Sequence, residues 1–160
     1  MTYFTVGANT AAKAEAIVPR IGFKTSSQTV NNSTVLVSDS QLFVTVSANT
    51  SYVFTGRFLY TSGTTPDIKF GFAYPTAATA TYTLYGIAAG GASLAAFHQT
   101  EASVGALEGG TAIACTMTGS WTIGANGGTV QLQWAQNTAN ASNTQVLAGS
   151  FLRLDQVVAT

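Results

Sequence analysis

Residues 67 to 74 read Asp-Ile-Lys-Phe-Gly-Phe-Ala-Tyr, and their alternation restricts what the chain can fold into. Ile68, Phe70, Phe72 and Tyr74 share one parity, while Asp67, Lys69, Gly71 and Ala73 share the other. A strand sends successive side chains to opposite faces, so this segment has one large apolar face and one small or charged face. Burying four such side chains contributes roughly 6–12 kcal/mol before entropy is counted. An apolar sheet face needs a second layer to cover it, so the segment predicts a sandwich.

The same two-residue period recurs along the chain. Leu42, Val44 and Val46 form one such set, Tyr82 and Leu84 another, and Val130, Leu132 and Trp134 a third. Ile113, Cys115, Met117, Trp121 and Ile123 share one parity, which makes Cys115 a small buried hydrophobe. Between Tyr52 and Tyr60 both parities carry apolar residues, which predicts a strand covered on both sides. A last strand is expected over about residues 145 to 157, with a bulge at Gly149. Turn chemistry separates these runs, at Ser62-Gly63-Thr64-Thr65-Pro66 and at Asn126-Gly127. Two Gly-Gly pairs, at 90–91 and 109–110, bound a stretch around Phe97 and His98 that reads as a long loop. The expected fold is all-β: an antiparallel β-sandwich, a jelly roll of about eight strands, with a short N-terminal arm. A lipocalin-like barrel fits less well, because no strand pair shows the inward mix of a ligand cavity.

The domain is expected over residues 28–160, behind an arm at 1–27. The arm holds Lys13, Glu15, Arg20 and Lys24, a dense share of the few charges. Asn9-Thr10 would cap a short helix over Ala11 to Ile17, ended by Pro19. So short a helix does not stand alone in water. The arm either anchors to another body, through Lys13, Glu15 and Arg20, or folds back as a leader on its own domain.

Charge excludes more than it suggests. Only 8% of the 160 residues are charged, against about 25% in ordinary soluble proteins, and the net charge is zero. Self-repulsion will not keep copies apart, and an assembly is expected. Six basic residues spread from end to end make no phosphate-binding stripe, so nucleic acid is not an expected partner. No run approaches the ~18 apolar residues of a membrane span, and the start lacks a signal peptide's pattern. One cysteine and one histidine leave no metal-ligand spacing, and no cofactor is expected.

Chemistry-bearing constellations are sparse. His98 is the single histidine, and no Gly-x-Ser-x-Gly accompanies it. A hydrolase would require His98 beside a carboxylate, but Glu15, Asp39, Asp67, Glu101, Glu108 and Asp155 form no pair by spacing. Asp67 reads as a solvated edge and Arg153 with Asp155 as a structural pair. Tyr82 and Tyr85 stand on opposite parities, so one of them should reach a surface. With His98, they are the candidate ligand or interface contacts.

Four segments carry a family resemblance: 28–37, 61–72, 128–140 and 149–154. The distinctive one contains Gln131-Leu132-Gln133-Trp134-Ala135-Gln136-Asn137. Together they resemble the β-rich domain of structural proteins of actinobacterial tailed phages, seen in minor tail and head decoration type proteins. The resemblance spans about residues 28 to 158 and implies a non-enzymatic virion component with no catalytic residues. In longer members the domain ends a tail protein; a short arm before a compact domain suits a head decoration protein. The resemblance implies display on the particle surface after synthesis in the bacterial host cytoplasm. Its expected partners are the major capsid protein or tail proteins, a host-surface glycan in the alternative reading, and itself. Analogy with viral jelly rolls makes that self-assembly a homotrimer.

Overall fold

The computed structural model describes residues 19–88, 91, 93–99, 104–107 and 109–157, with 93–99 and 104–106 described by their backbone. Among the described residues there are twelve strands: β1 (Arg20–Phe23), β2 (Gln28–Val30), β3 (Val37–Val46), β4 (Ser51–Ser62), β5 (Ile68–Ala73), β6 (Thr79–Ile87), β7 (Ser93–Gln99), β8 (Val104–Leu107), β9 (Gly110–Thr122), β10 (Gly128–Gln136), β11 (Thr144–Val146) and β12 (Phe151–Val157). They form two sheets with antiparallel pairing throughout.

The eight consecutive strands β3 to β10 make the expected jelly roll. One sheet has the order β3-β10-β5-β8, and the other contains β4-β9-β6-β7. The chain changes sheet at almost every step, and only β6 and β7 form a hairpin within one sheet. This is the double-sheet, two-Greek-key arrangement. The larger sheet is extended past β4 by β12 and then β1, while β11 and β2 join the other end of β4 at Tyr60 and Thr61.

The 67–74 run supplies the centre of the core. Ile68 and Phe70 are fully buried and Phe72 nearly so, while Tyr74 packs at the margin. Phe72 meets Phe54, Tyr82 and Trp121 edge-on, with ring centroids 5.9, 5.8 and 5.5 Å away. Phe70 meets Phe58 at 5.5 Å and Tyr60 at 6.0 Å. Each such pair adds about 0.5–1.5 kcal/mol beyond its buried area. These contacts join the two sheets. Gly119 of β9 lies between Phe54 and Tyr82 in the ladder, and a Cβ there would stand 2.1 Å from the Thr81 carbonyl oxygen. On the opposite face of β5, long and short residues alternate across the pairing with β10: Lys69 beside Ala135, Gly71 beside Gln133, Ala73 beside Gln131.

Four expectations change. The strand over 145–157 is two strands, because the chain turns at Leu147–Ser150 with Gly149 at φ +88°. The stretch read as a loop contains β7 and β8, whose Ala- and Gly-rich sequences hide the period. Residues 20–23 follow the leader alternative given for the arm, as a strand paired with β12, so the sandwich begins before residue 28. Gly22 lets that strand close the sandwich edge: a Cβ there would lie 2.8 Å from the Phe43 backbone. Finally, β4 is covered on one side only. Tyr52, Phe54, Phe58 and Tyr60 are buried, but Val53 and Arg57 are exposed.

Candidate functional site

The two fully buried charges of the described fold, Lys24 and Asp39, meet at a bulge in β3. Between Gln131 and Gln133 the register against β3 jumps from Phe43 to Ser38, so residues 39–42 loop out of the ladder. Asp39 fills the bulge. Its Oδ1 accepts from the Gln41 and Leu42 backbone N–H groups at 3.0 and 3.1 Å, and its Oδ2 accepts from Trp134 Nε1 at 3.3 Å. Lys24 Nζ donates to both carboxylate oxygens at 2.9 and 2.8 Å, and both side chains are fully buried. The Lys24 backbone is held by Ser150 O and Gly149 N–H, so β1 enters the β11–β12 turn with its charge pointing inward. A buried pair of this kind holds register; it is not an open reactive site.

The Gln131–Gln136 run serves the same framework. Gln131 Nε2 donates to the Asp39 carbonyl at 2.8 Å, and Gln133 Nε2 to Ser38 Oγ at 3.3 Å. Gln136 is buried and organises the following connection: its Nε2 donates to the carbonyls of Asn140 and Ser142, and its Oε1 accepts from the N–H groups of Asn140 and Ser33.

Several other described ionisable groups are also engaged. Asp67 is not a solvated edge: it is half-buried at φ 47° and accepts from Gly109 N–H at 3.0 Å, tying the β4–β5 turn to the start of β9. Arg153 and Asp155 pair at 2.8 Å on the face of β12, and the Asp155 hydrogen bond raises the Arg153 pKa. Burial pushes the Cys115 thiol far above its ordinary pKa, so it stays protonated and unreactive. Among the described residues no three His, Cys, Asp or Glu side chains converge as metal ligands.

The candidate contacts separate. Tyr82 belongs to the core rather than to a surface, because its parity on β6 points inward onto Phe54 and Phe72. Tyr85 is half exposed on the outer face of the same strand. His98 lies in β7 across from Tyr82 in register, and its side chain is outside the described residues. Tyr82→Ala is therefore expected to cost about 3–5 kcal/mol, as large aromatic truncations do, and Tyr85→Ala less than about 0.5 kcal/mol. Urea unfolding of the two variants measures the contrast.

Of the candidate anchor residues, Lys13 and Glu15 lie outside the described residues. Arg20 sits at the start of β1, donates to the Thr45 carbonyl and stacks over Tyr52 at 5.5 Å. With Ile21, Phe43, Val44 and Thr45 it lines a crevice of about 370 Å³ at the sandwich edge.

The least satisfied surface is the outer face of the larger sheet. Ile21, Phe23, Val53, Tyr85, Ile87 and Val157 all lie there, between 38% and 55% exposed. Two other large apolar side chains are exposed among the described residues, Val35 and Phe43, and they lie elsewhere. Sequence parity did place apolar residues on both sides of β4; what it lacked was whether anything in the chain covers the second side.

No family model and no curated protein matches the chain. Among solved structures it is similar to the infectious bursal disease virus VP2 subviral particle, at 11% identity over 89% of this chain and 41% of that one, with a TM-score of 0.20. It is similar at 10% identity to the T=1 particles derived from that virus, over 89% of this chain and 40% of that one, with a TM-score of 0.22. The chain spans about two fifths of the length of these proteins. At such TM-scores the likeness carries no weight for fold or function.

Proposed function

We propose that this chain is a non-enzymatic structural protein of a phage virion, displayed on the head as a decoration protein and attached through its N-terminal segment. The observation that carries this reading is the use made of the Gln131–Gln136 run. That run is the distinctive part of the resemblance to phage structural proteins, and its polar side chains are committed to framework hydrogen bonds. It specifies an architecture rather than a site. By fold analogy the jelly roll is consistent with a capsid role, one of the roles this fold serves. The three-fold assembly expected for this chain rests on the same analogy.

Deletion of residues 1–18 tests the attachment. The cut must stop before Pro19, because Arg20–Phe23 and Lys24 are part of the sandwich. The truncated protein is expected to keep its melting temperature and to stop co-sedimenting with particles that lack the endogenous copy. Undiminished co-sedimentation would refute the attachment role. A glycan-binding reading is favoured by one feature, the exposed Tyr85 ring beside Thr116 on the outer face of the larger sheet. It requires glycan-array binding that Tyr85→Ala removes.

A further inference from the structure

We propose that Lys24 and Asp39 condense to an isopeptide bond, a covalent staple between the lysine amine and the aspartate carboxyl group. The ion pair is the state that folding assembles, and the amide is what it becomes.

The pair has the parts of an acyl-transfer site, closed inside the chain. The nucleophile is in place, with Nζ 2.9 Å from Oδ1 and 2.8 Å from Oδ2. That sets the nitrogen about 3 Å from the carboxyl carbon, the separation of atoms poised to react. An oxyanion site is in place as well. Oδ1 accepts from the Gln41 and Leu42 backbone N–H groups at 3.0 and 3.1 Å. Two such fixed donors stabilise the charge that collects on this oxygen in a tetrahedral intermediate. The other oxygen, Oδ2, accepts from Trp134 Nε1 at 3.3 Å, which steadies it as a leaving group. Both side chains are fully buried, so bulk water does not compete for the carboxyl carbon. The Lys24 main chain is fixed to Ser150 and Gly149, which holds the amine over its target.

The reaction needs no group beyond the pair. One proton passes from Nζ to Oδ2 across their 2.8 Å contact, leaving a neutral amine and a carboxylic acid. This removes two charges whose burial is costly. Attack requires the amine above the carboxyl plane, a tilt that the unbranched lysine stem supplies. The nitrogen lone pair bonds to Cγ, and the carbonyl electron pair moves onto Oδ1. A second proton passes from nitrogen to the Oδ2 hydroxyl. The Cγ–Oδ2 bond then breaks with its electron pair, the carbonyl re-forms, and Oδ2 leaves as water. One Nζ–Cγ bond is gained and one water is lost, with no change of oxidation state. The amide oxygen keeps both of its backbone donors.

The bond lies where the fold is thinnest. β1 is four residues long and sits at the edge of the larger sheet, while Asp39 belongs to β3 of the other sheet. The single cysteine is buried and free, so no disulfide staples this edge. Under the virion reading, a pull on residues 1–18 reaches β1 first, and the staple passes it across the sandwich to β3. Only this use rests on that reading; the bond itself does not.

Mass spectrometry of the denatured full chain tests the proposal. Wild type is expected to be lighter than its sequence by one water. Trypsin should fail to cut after Lys24, so Ile21 to Arg57 should appear as one peptide with no backbone fragments from between 24 and 39. Lys24→Arg, which keeps the cation, and Asp39→Ala should each have the full sequence mass. A wild type of full sequence mass would overturn the proposal. So would a missing water that persists in Lys24→Arg, or that leaves cleavage after Lys24 intact, because a succinimide at Asp39-Ser40 would do both. The measurement uses purified protein without particles, so its failure would leave the virion reading standing.

Discussion

Replacing Lys24 by Met is expected to destabilise the fold by about 3–5 kcal/mol, the cost of stranding one member of a buried ion pair. The substitution keeps the volume of the stem but leaves the Asp39 carboxylate buried without its cation. Three donors remain to it, the Gln41 and Leu42 backbone N–H groups and Trp134 Nε1, and none carries a charge. A domain of this size has a total stability of about 5–15 kcal/mol, so the loss is a large fraction of the whole. Adding Asp39→Asn to Lys24→Met should recover part of the loss, because the amide oxygen still accepts from the two backbone groups. Recovery should be incomplete, because the amide nitrogen would then face the Trp134 N–H. Guanidinium unfolding of the two variants gives the comparison. Equal stability of Lys24→Met and wild type would show that the pair contributes nothing to the fold.

Phe72→Ala should cost about 3–5 kcal/mol, the range for removing a buried aromatic ring. Phe72 is the point where β5 of one sheet meets Phe54, Tyr82 and Trp121 of the other. Its loss leaves three rings without their edge-on partner and opens a cavity between the sheets. At roughly 2–4 °C per kcal/mol for a chain of this size, the melting temperature should fall by about 6–20 °C. Lys69→Ala, on the other face of the same strand, should change stability by less than about 0.5 kcal/mol. Thermal unfolding of the pair tests whether the two faces of the 67–74 run differ as its alternation demands.

Parity was the legible part of the sequence. It placed Phe70, Phe72, Trp121 and Trp134 in the core, and it separated Tyr82 from Tyr85, because a strand's period depends only on local backbone geometry. Six of the eight jelly-roll strands, β3, β4, β5, β6, β9 and β10, follow from such runs, and β12 lies within the run expected over 145–157. β1 was hidden by a four-residue length, and β7 and β8 by alanine and glycine, which carry too little side chain to show a period. The buried pair was not legible at all. Lys24 follows β1 and Asp39 lies 15 positions on in β3 of the other sheet, and only the closure of β1 over β3 brings them together. The sequence shows Lys24 only as one of the arm's charges; lysine is almost never fully buried unless paired, and its partner is not visible in the sequence. The apolar outer side of β4 was visible in Val53 and Leu59, but the parity of one strand does not specify whether another element covers that side.

The central claim is that this chain is a component of a virus particle. Peptide mass spectrometry with copy-number quantification, on gradient-purified particles produced by the genome that encodes the chain, tests it most directly. The account predicts many copies per particle, in fixed ratio to the major capsid protein, with labelled protein located on the outer surface of the head. Absence of the chain from purified particles, with recovery only from the soluble lysate, would contradict it.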